Sequence, residues 1–166
     1  SASRTTSDVF VPLLYSSDYY NKFLSSFIGP VNAGSWTRLS LTGVSVVAVA
    51  LMFLRRKKTA HKIVFGVLTL FLLVPYFGHI LNGFSYVSNR WEWMYCLLCA
   101  YIVSTVLENT EEFSDNHRLY AGLFGLLVSV ALAFTVSASD KNALILAAVL
   151  CLTSLTLLAL RNNAKA

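Results

Sequence analysis

The chain has 166 residues, of which 56% are hydrophobic and 13% are charged, and its mean hydropathy is +0.63. Soluble domains carry about 25% charged residues, so this composition excludes an ordinary water-soluble protein and predicts an integral membrane protein. The net charge of +5 does not indicate nucleic-acid binding, because four basic residues form one run, Arg55-Arg56-Lys57-Lys58, directly after an apolar segment. Such a run beside a span is typical of the cytoplasmic side of a membrane.

Residues 1–37 form the first predicted unit, an extracytoplasmic, interfacial amphipathic segment. Apolar residues recur every three to four positions, with polar residues between them: Phe10, Leu13, Leu14, Tyr15, Tyr19, Tyr20, Phe23, Leu24, Phe27 and Ile28. The pattern predicts a helix lying along the membrane surface, and a helix packed on other protein domains fits it equally well. Gly29 and Pro30 are expected to end this helix.

Residues 38–166 form the second predicted unit. The predicted fold class is all-α, a polytopic integral membrane helical bundle of about five transmembrane helices preceded by the amphipathic segment. The first predicted span, of about nineteen residues, is long enough to cross a hydrocarbon core of about 30 Å. The predicted spans are residues 36–54, 63–81, 91–107, 119–137 and 143–160.

Pro75 lies within the second predicted span and is followed by Tyr76, Gly78 and His79. Because proline removes a helix hydrogen bond, we expect a kink or an unwound turn in the outer third of this span. A break at membrane depth is tolerated only where it is buried in protein or lines a cavity. We therefore expect the end of the bundle around Pro75 to be packed inside protein or to enclose a cavity.

The distribution of basic residues predicts the orientation of the bundle. With the amino terminus outside, the inner loops hold eight Lys and Arg residues and the outer loops hold five. The positive-inside rule therefore places the amino terminus and residues 82–90 on the extracytoplasmic side. On the inner side, four acidic residues lack calcium-loop spacing and are interpreted as a solvated connection, namely Glu108, Glu111, Glu112 and Asp115.

The sequence contains no metal-ligand set, phosphate-binding loop or nucleophile triad. Cys96 and Cys99 have the spacing of a redox pair, but a reactive thiol must be accessible near a helix start, and both lie inside an apolar run, as does Cys151. We predict that these cysteines pack between helices, and we expect no metal, no cofactor and no nucleic-acid partner.

The connection between the second and third spans is the strongest candidate for a functional site. It reads Asn82-Gly83-Phe84-Ser85-Tyr86-Val87-Ser88-Asn89-Arg90-Trp91. Arg90 can hold a phosphate bidentately, and His79 and Tyr86 are expected to face the same pocket. Alternatively, Arg90 extends to lipid headgroups beside a belt formed by Tyr86, Trp91 and Trp93.

Asn82 and Asn89 also have two interpretations. They can contribute to the same site, or they can cap the helix ends on either side of the loop, with Gly83 permitting the turn. Glu92 would then complete a capping box with Asn89. A role as general base is the alternative for this carboxylate.

The residues from Pro75 through Trp91 resemble the signature region of the bacterial YfhO family of membrane proteins. The resemblance extends over about residues 10–115. Three further features fit the same pattern: the basic run at residues 55–58, the segment with Tyr20 and Phe23, and Leu107-Glu108 after the third span. Because the chain starts at Ser1 without a charged leader, we expect an internal fragment of a longer protein.

The resemblance implies a GT-C-like glycosyltransferase in the bacterial plasma membrane. Such an enzyme takes a sugar from a polyprenyl-phosphate carrier outside the cell and attaches it to a wall polymer such as lipoteichoic acid. The expected partners are membrane lipids, the polyprenyl-phosphate-linked sugar donor and a partner glycosyltransferase that makes this donor. In GT-C enzymes the catalytic acid lies in an earlier extracytoplasmic loop, so the catalytic residue is unknown here and the fragment alone is expected to be inactive.

We assign to Arg90 the binding of either the carrier phosphate or the acceptor at the outer surface, supported by Asn82, Tyr86, Asn89 and His79. Two other classes of function stay open. Some relatives are described as transporter permeases, and the broken second span would then form a midplane site. A structural membrane bundle without catalysis is the third possibility.

Overall fold

The computed structural model describes residues 13–27, 31–55 and 59–135. These residues form six α-helices, one short 3-10 helix and one isolated β-bridge, with no strand among them. The part of the chain that the structure describes is therefore all-helical, as predicted. The helices are α1 (Ser17–Ser25), α2 (Gly43–Leu54), α3 (Thr59–Leu73), α4 (Pro75–Leu81), α5 (Glu92–Glu108) and α6 (Asp115–Thr135), with the 3-10 helix at Thr110–Glu112.

Helix α1 is the amphipathic helix that the sequence predicted, in a shorter form. It begins after Ser16, whose side chain accepts a hydrogen bond of 3.3 Å from the Tyr19 amide. Tyr19 and Phe23 on its apolar face are 4% and 2% exposed, and the helix packs against α6. The apolar face is thus covered by the chain itself. The first twelve residues of the predicted segment and its Gly-Pro end lie outside the described residues.

The first predicted span, residues 36–54, is helical only from Gly43. The segment before it is irregular, with positive φ angles at Ser35, Trp36 and Ser40. Because left-handed backbone angles cannot continue an α-helix, Trp36 lies in a loop and not at the start of a helix. Helix α2 therefore has only 12 residues. Its length is about 18 Å.

The second predicted span is broken where the kink was predicted. Helix α3 ends at Leu73, α4 begins at Pro75, and the two helices are bent by 94°. Val74 between them is extended (φ −117°, ψ 116°), which is the conformation that a residue before proline prefers. Among the described residues, no single helix is both long and apolar enough to cross a bilayer, and α3 and α4 meet these two criteria only as a bent pair.

Helices α5 and α6 correspond to the third and fourth predicted spans. Helix α5 agrees with the predicted residues 91–107 to within one residue at each end. Helix α6 begins four residues before its predicted start at residue 119 and is described as far as Thr135. The fifth predicted span, residues 143–160, lies outside the described residues.

The acidic loop between α5 and α6 is attached to its neighbours. Glu112 forms an ion pair with Arg55 at the end of α2, and Asp115 pairs with Arg118 at 3.2 Å. The side chain of Arg118 is 5% exposed and also donates to the Thr110 carbonyl at 2.8 Å. The loop is exposed, as expected of a solvated connection, since the side chains of Glu112 and Asp115 are 43% and 87% exposed. The ion pair of Glu112 in addition connects this loop to α2.

Helix α2 packs against both α5 and α6, and α3 packs against α5. Cys99 is fully buried in the core and Cys96 is half-buried beside it, so the two described cysteines pack as predicted. The opposite faces of α3, α5 and α6 expose large apolar side chains. Exposed apolar surface of this extent is typical of contact with lipid or with another protein. Its members include Ile63, Val64, Val67, Leu70, Trp93, Met94, Leu97, Leu119, Leu123, Phe124 and Leu127.

Candidate functional site

The connection between α4 and α5 begins as a tight turn. Asn82 follows the last residue of α4, and Gly83 and Phe84 have φ angles of 63° and 58°. The Phe84 amide donates to the His79 carbonyl at 2.9 Å, and Asn82 Nδ2 donates to the Tyr86 carbonyl at 3.0 Å. The predicted position of Asn82 at a helix end is confirmed, and Gly83 adopts a backbone angle that glycine tolerates without strain.

Three of the predicted site residues lie in or beside this turn, with His79 in the last part of α4. The half-buried His79 ring packs edge-on against Phe84, with ring centroids 5.6 Å apart. The Tyr86 side chain is 40% exposed, and its backbone holds Asn82. The turn therefore presents an imidazole, an amide and a phenol close to one another in the chain, between the broken end of α4 and Arg90.

Arg90 is exposed and lies over the indole of Trp36, with its Cζ atom 4.5 Å from the ring centroid. This distance is that of a cation–π contact. The aromatic partner comes from the loop before α2, and not from the belt that was predicted beside Arg90. Among the described residues, no carboxylate pairs with Arg90, whereas Arg55 and Arg118 each pair with one.

Trp36 has a strained backbone, with a φ angle of 64°. A bulky residue in the left-handed region costs about 1–3 kcal/mol, and such strain persists only where the surrounding structure imposes it. Here the turn is closed by the Thr37 amide, which donates to the Gly34 carbonyl at 2.8 Å, and by the Ala33 amide, which donates to the Thr37 carbonyl at 2.9 Å. The turn holds the indole outward, 59% exposed.

Asn89, next to Arg90 in sequence, is fully buried. Its Nδ2 atom lies 2.9 Å from Thr37 Oγ1, 3.2 Å from Tyr15 Oη and 3.2 Å from Tyr19 Oη. The backbone amide of Asn89 donates to the Ser35 carbonyl at 2.9 Å. Asn89 therefore joins three separate parts of the chain in one buried hydrogen-bond network, and its side chain faces away from solvent.

The capping box predicted for Asn89 and Glu92 is absent. The residue before α5 is Trp91, which makes no side-chain capping bond. The Glu92 carboxylate instead accepts a hydrogen bond of 2.5 Å from the Arg38 amide. The side chains of Asn89 and Glu92 both form hydrogen bonds with the loop before α2 and do not cap α5.

Two tyrosines of α1 donate hydrogen bonds to backbone carbonyls at the break between α3 and α4. A helix that ends leaves its last carbonyls without amide donors. Tyr19 Oη donates to the Leu72 carbonyl at 2.8 Å, and Tyr20 Oη donates to the Leu73 carbonyl at 3.1 Å. We call Tyr19 and Tyr20 the tyrosine clamp. Because an unpaired carbonyl is costly in an apolar environment, the clamp stabilises the bend.

Gly78 allows α4 to approach Asn89. A Cβ atom at this position would lie 2.7 Å from Asn89 Oδ1, 3.2 Å from Val87 Cγ1 and 3.4 Å from Tyr15 Oη. The first of these distances is shorter than a real contact, so a larger residue would displace the loop or the helix. The amide of Ser88 also donates to the Gly78 carbonyl at 3.3 Å.

Burial raises the pKa of Tyr15 and of Tyr19 above the ordinary value of a phenol. Hydrogen bonds from Asn89 to Tyr15 and from Thr37 to Tyr19 oppose this effect only in part. The two hydroxyl groups therefore keep their protons through the neutral range and can act as donors. This property is required of Tyr19, which donates to a carbonyl.

The sequence did not identify Trp36, Thr37, Tyr15 and Tyr19 as parts of the same region as Asn89. A signal for the tyrosines was available, because a predicted break at Pro75 frees carbonyls that need donors, and the preceding segment is rich in tyrosine. No comparable signal points to Trp36, since its contact with Arg90 depends on how two distant loops meet.

Two cavities in the described part of the chain lie away from residues 75–90. One, of about 440 Å³, lies along α5 and is lined by Ala100, Val103, Ser104, Leu107 and Glu108. The other holds about 20 Å³ and is lined by residues that include Met52, Arg55, His61 and Tyr101. The candidate site itself is an exposed surface formed by two loops.

Comparison with known proteins decides the family. The family model of the bacterial membrane protein YfhO matches residues 1–164 of the chain. The chain belongs to the YfhO family. The resemblance seen around residues 75–91 is thus confirmed, and as a member of YfhO the chain is a bacterial membrane protein. No curated protein and no solved structure matches it.

Proposed function

We propose that this YfhO chain is part of a GT-C-type glycosyltransferase that moves a sugar from a polyprenyl-phosphate carrier to a cell-wall polymer such as lipoteichoic acid. In this proposal Arg90 binds the carrier phosphate. His79, Asn82 and Tyr86 form the neighbouring polar turn, and Asn89 supports the loop from within. The observation that supports the proposal is the exposed Arg90 guanidinium, which rests on Trp36 and pairs with no carboxylate in the described residues.

The chemistry of the guanidinium group suits this role. Its planar N–H donors match two oxygens of a phosphate, and such charge-assisted pairs are stronger than neutral hydrogen bonds. When a sugar leaves its carrier, negative charge grows on the phosphate oxygens. A fixed positive charge beside them lowers the energy of that transition state. A surface arginine already paired with a carboxylate would serve this purpose poorly.

The proposal places the loop between α4 and α5 outside the cell, where the carrier presents its sugar. Labelling of a single introduced cysteine by a membrane-impermeant reagent tests this orientation. Ser85 is the suitable position because it is exposed, whereas Ser88 in the same loop is 2% exposed. Modification of the Ser85→Cys variant in intact cells is expected. Modification only after the cells are permeabilised would exclude carrier binding at this loop.

Substitution of Arg90 in the full-length protein tests the activity. Arg90→Ala is expected to lower sugar transfer to the wall polymer by at least about tenfold, because a charge-assisted phosphate contact contributes about 1.5–3 kcal/mol. Arg38→Ala is the matched control, since Arg38 is an exposed arginine of the loop that carries Trp36. If Arg90→Ala transferred sugar at the same rate as the control Arg38→Ala, the proposed role of Arg90 would be refuted. A catalytic acid and a partner glycosyltransferase that makes the donor belong to the same proposal.

A transporter component is the second candidate. The observation in its favour is the 94° break between α3 and α4, since broken helices with freed carbonyls form binding sites in transporters. Here the tyrosine clamp already occupies the freed Leu72 and Leu73 carbonyls, which favours a structural use of the break. Uptake of labelled substrate that survives Arg90→Ala but is lost in a variant of the break would favour transport.

A further inference from the structure

The loop before α2 and the loop before α5 form one surface. The amide of Asn89 donates to the Ser35 carbonyl at 2.9 Å, and its side chain donates to Thr37 Oγ1 at 2.9 Å. The Arg38 amide donates to the Glu92 carboxylate at 2.5 Å. These three bonds flank Trp36 on one loop and Arg90 on the other, so the contact between the indole and the guanidinium is set by the fold.

The exposure of Trp36 has no explanation from packing. An indole usually gains its stabilising energy by burial, and this one is 59% exposed on a backbone with a φ angle of 64°. Among the described residues, the indole ring contacts the Arg90 guanidinium. Strained, exposed residues of this kind are concentrated at functional sites, where the strain fixes a geometry.

The contact with Trp36 leaves Arg90 able to bind an anion. A cation–π contact occupies no oxygen acceptor, and among the described residues no carboxylate pairs with this guanidinium, so its N–H donors stay available to oxygen acceptors. The ring also restricts the rotation of a long side chain that would otherwise lose conformational entropy on binding. An arginine held in this way binds a phosphate more tightly than a free one.

We propose that Trp36 is the positioning residue of a phosphate-ester site on Arg90, and that the ligand is the phosphate of a membrane-anchored polyprenyl carrier. The inference rests on the proposed function and adds a residue to it. The shared chemistry is a phosphate ester at the membrane surface, which a bulk phospholipid headgroup also offers. A lipid-anchored phosphate is favoured over a free one because exposed apolar side chains flank the turn, Phe84 at 64% in the loop and Leu81 at 52% at the end of α4.

Binding of polyprenyl phosphate to the full-length protein in nanodiscs tests the inference directly. Trp36→Ala is expected to raise the Kd about fivefold, which is the effect of losing one exposed cation–π contact of the usual strength, and Trp36→Phe is expected to restore most of the affinity. Trp93→Ala is the matched control, because Trp93 is also 59% exposed. Equal Kd values for Trp36→Ala and Trp93→Ala would overturn the inference.

A double-mutant cycle separates positioning from a general structural effect. If Trp36 acts through Arg90, the double variant Trp36→Ala with Arg90→Ala binds no more weakly than Arg90→Ala alone. Additive losses would contradict positioning. A large loss in Arg90→Ala with none in Trp36→Ala would remove Trp36 and leave the proposed function intact. Undiminished binding by Arg90→Ala would remove the proposed function.

The source of the phosphate is tested with nanodiscs that contain phosphatidylglycerol and no polyprenyl phosphate, and with inorganic phosphate as competitor. Saturable binding only when polyprenyl phosphate is present supports the carrier. An identical dependence on Trp36 in phosphatidylglycerol alone would assign the site to bulk headgroups and overturn the carrier. Should Trp36→Ala fail to fold, the Trp36→Gly variant relieves the left-handed backbone and still removes the ring, and it carries the same expected outcomes.

Discussion

Tyr19 Oη donates a hydrogen bond of 2.8 Å to the Leu72 carbonyl, across 53 residues of sequence. The bond satisfies a backbone group that the break before Pro75 leaves without its helical donor. The same hydroxyl lies 3.2 Å from Asn89 Nδ2. The buried Tyr19 side chain therefore contacts both the bend of the second predicted span and the loop that carries Arg90.

Removal of the Tyr19 hydroxyl is expected to destabilise the protein. Tyr19→Phe leaves the Leu72 carbonyl buried without a donor and should lower the free energy of unfolding by about 1–3 kcal/mol. Tyr120→Phe is the control, since Tyr120 is 58% exposed. Thermal unfolding of the purified protein in detergent measures both. Equal melting temperatures for the two variants would show that the clamp does not hold the bend.

Gly78→Ala is expected to disrupt the contact between α4 and Asn89. The added methyl group would lie 2.7 Å from Asn89 Oδ1, so the variant should lose about 1–3 kcal/mol of stability. Gly66→Ala is the matched control in α3, because a Cβ there meets nothing within 4 Å. The control should be neutral or stabilised by up to about 1 kcal/mol. Comparable losses in the two variants would contradict the close approach.

Alkaline pH is expected to weaken the fold through the buried phenols. The pKa of Tyr19 is raised in the folded protein, so its contribution is complete below the unfolded pKa of about 10 and is lost as the pH rises above that value. The expected slope for this phenol is at most about 1.4 kcal/mol per pH unit. Unfolding measured from about pH 8 to pH 11 tests this, and Tyr19→Phe should show a smaller slope than Tyr120→Phe.

The ion pair between Arg55 and Glu112 is expected to fasten the loop after α5 to the end of α2. Glu112→Arg places two like charges together and should lower stability by about 1 kcal/mol. The exchange Arg55→Glu with Glu112→Arg should recover most of this loss. Asp18→Asn removes an exposed pair with Lys22 and should change stability by less than about 0.5 kcal/mol. Failure of the exchanged variant to recover would argue against the pair.

The sequence predicted those parts of the fold that depend on local chemistry. Pro75 lacks an amide hydrogen and constrains Val74, so the position of the kink follows from two adjacent residues. The apolar run that became α5 gave its bounds to within one residue at each end. Composition and the motif around residues 75–91 together indicated the membrane and the family.

The remaining parts depend on contacts between distant residues. Helix α2 begins only at Gly43 because the turn around Trp36 and the bond from Asn89 to Ser35 hold the preceding loop out of helical geometry. Asparagine is a residue type that often caps helices. The Asn89 side chain is buried because its hydrogen-bond partners Tyr15, Tyr19 and Thr37 lie in the interior. Such partners have no fixed spacing in sequence, so local patterns cannot reveal them.

The network around Asn89 also sets an order for biosynthesis. Its members extend from Tyr15 to Asn89, so the ribosome must make the whole of α1, α2, α3 and α4 before the last hydrogen bond can form. The bonds of Tyr19 and Tyr20 to Leu72 and Leu73 involve no residue after Leu73, so they can form before the loop that carries Arg90 is made. That loop is therefore the last part of the network to be fixed in place.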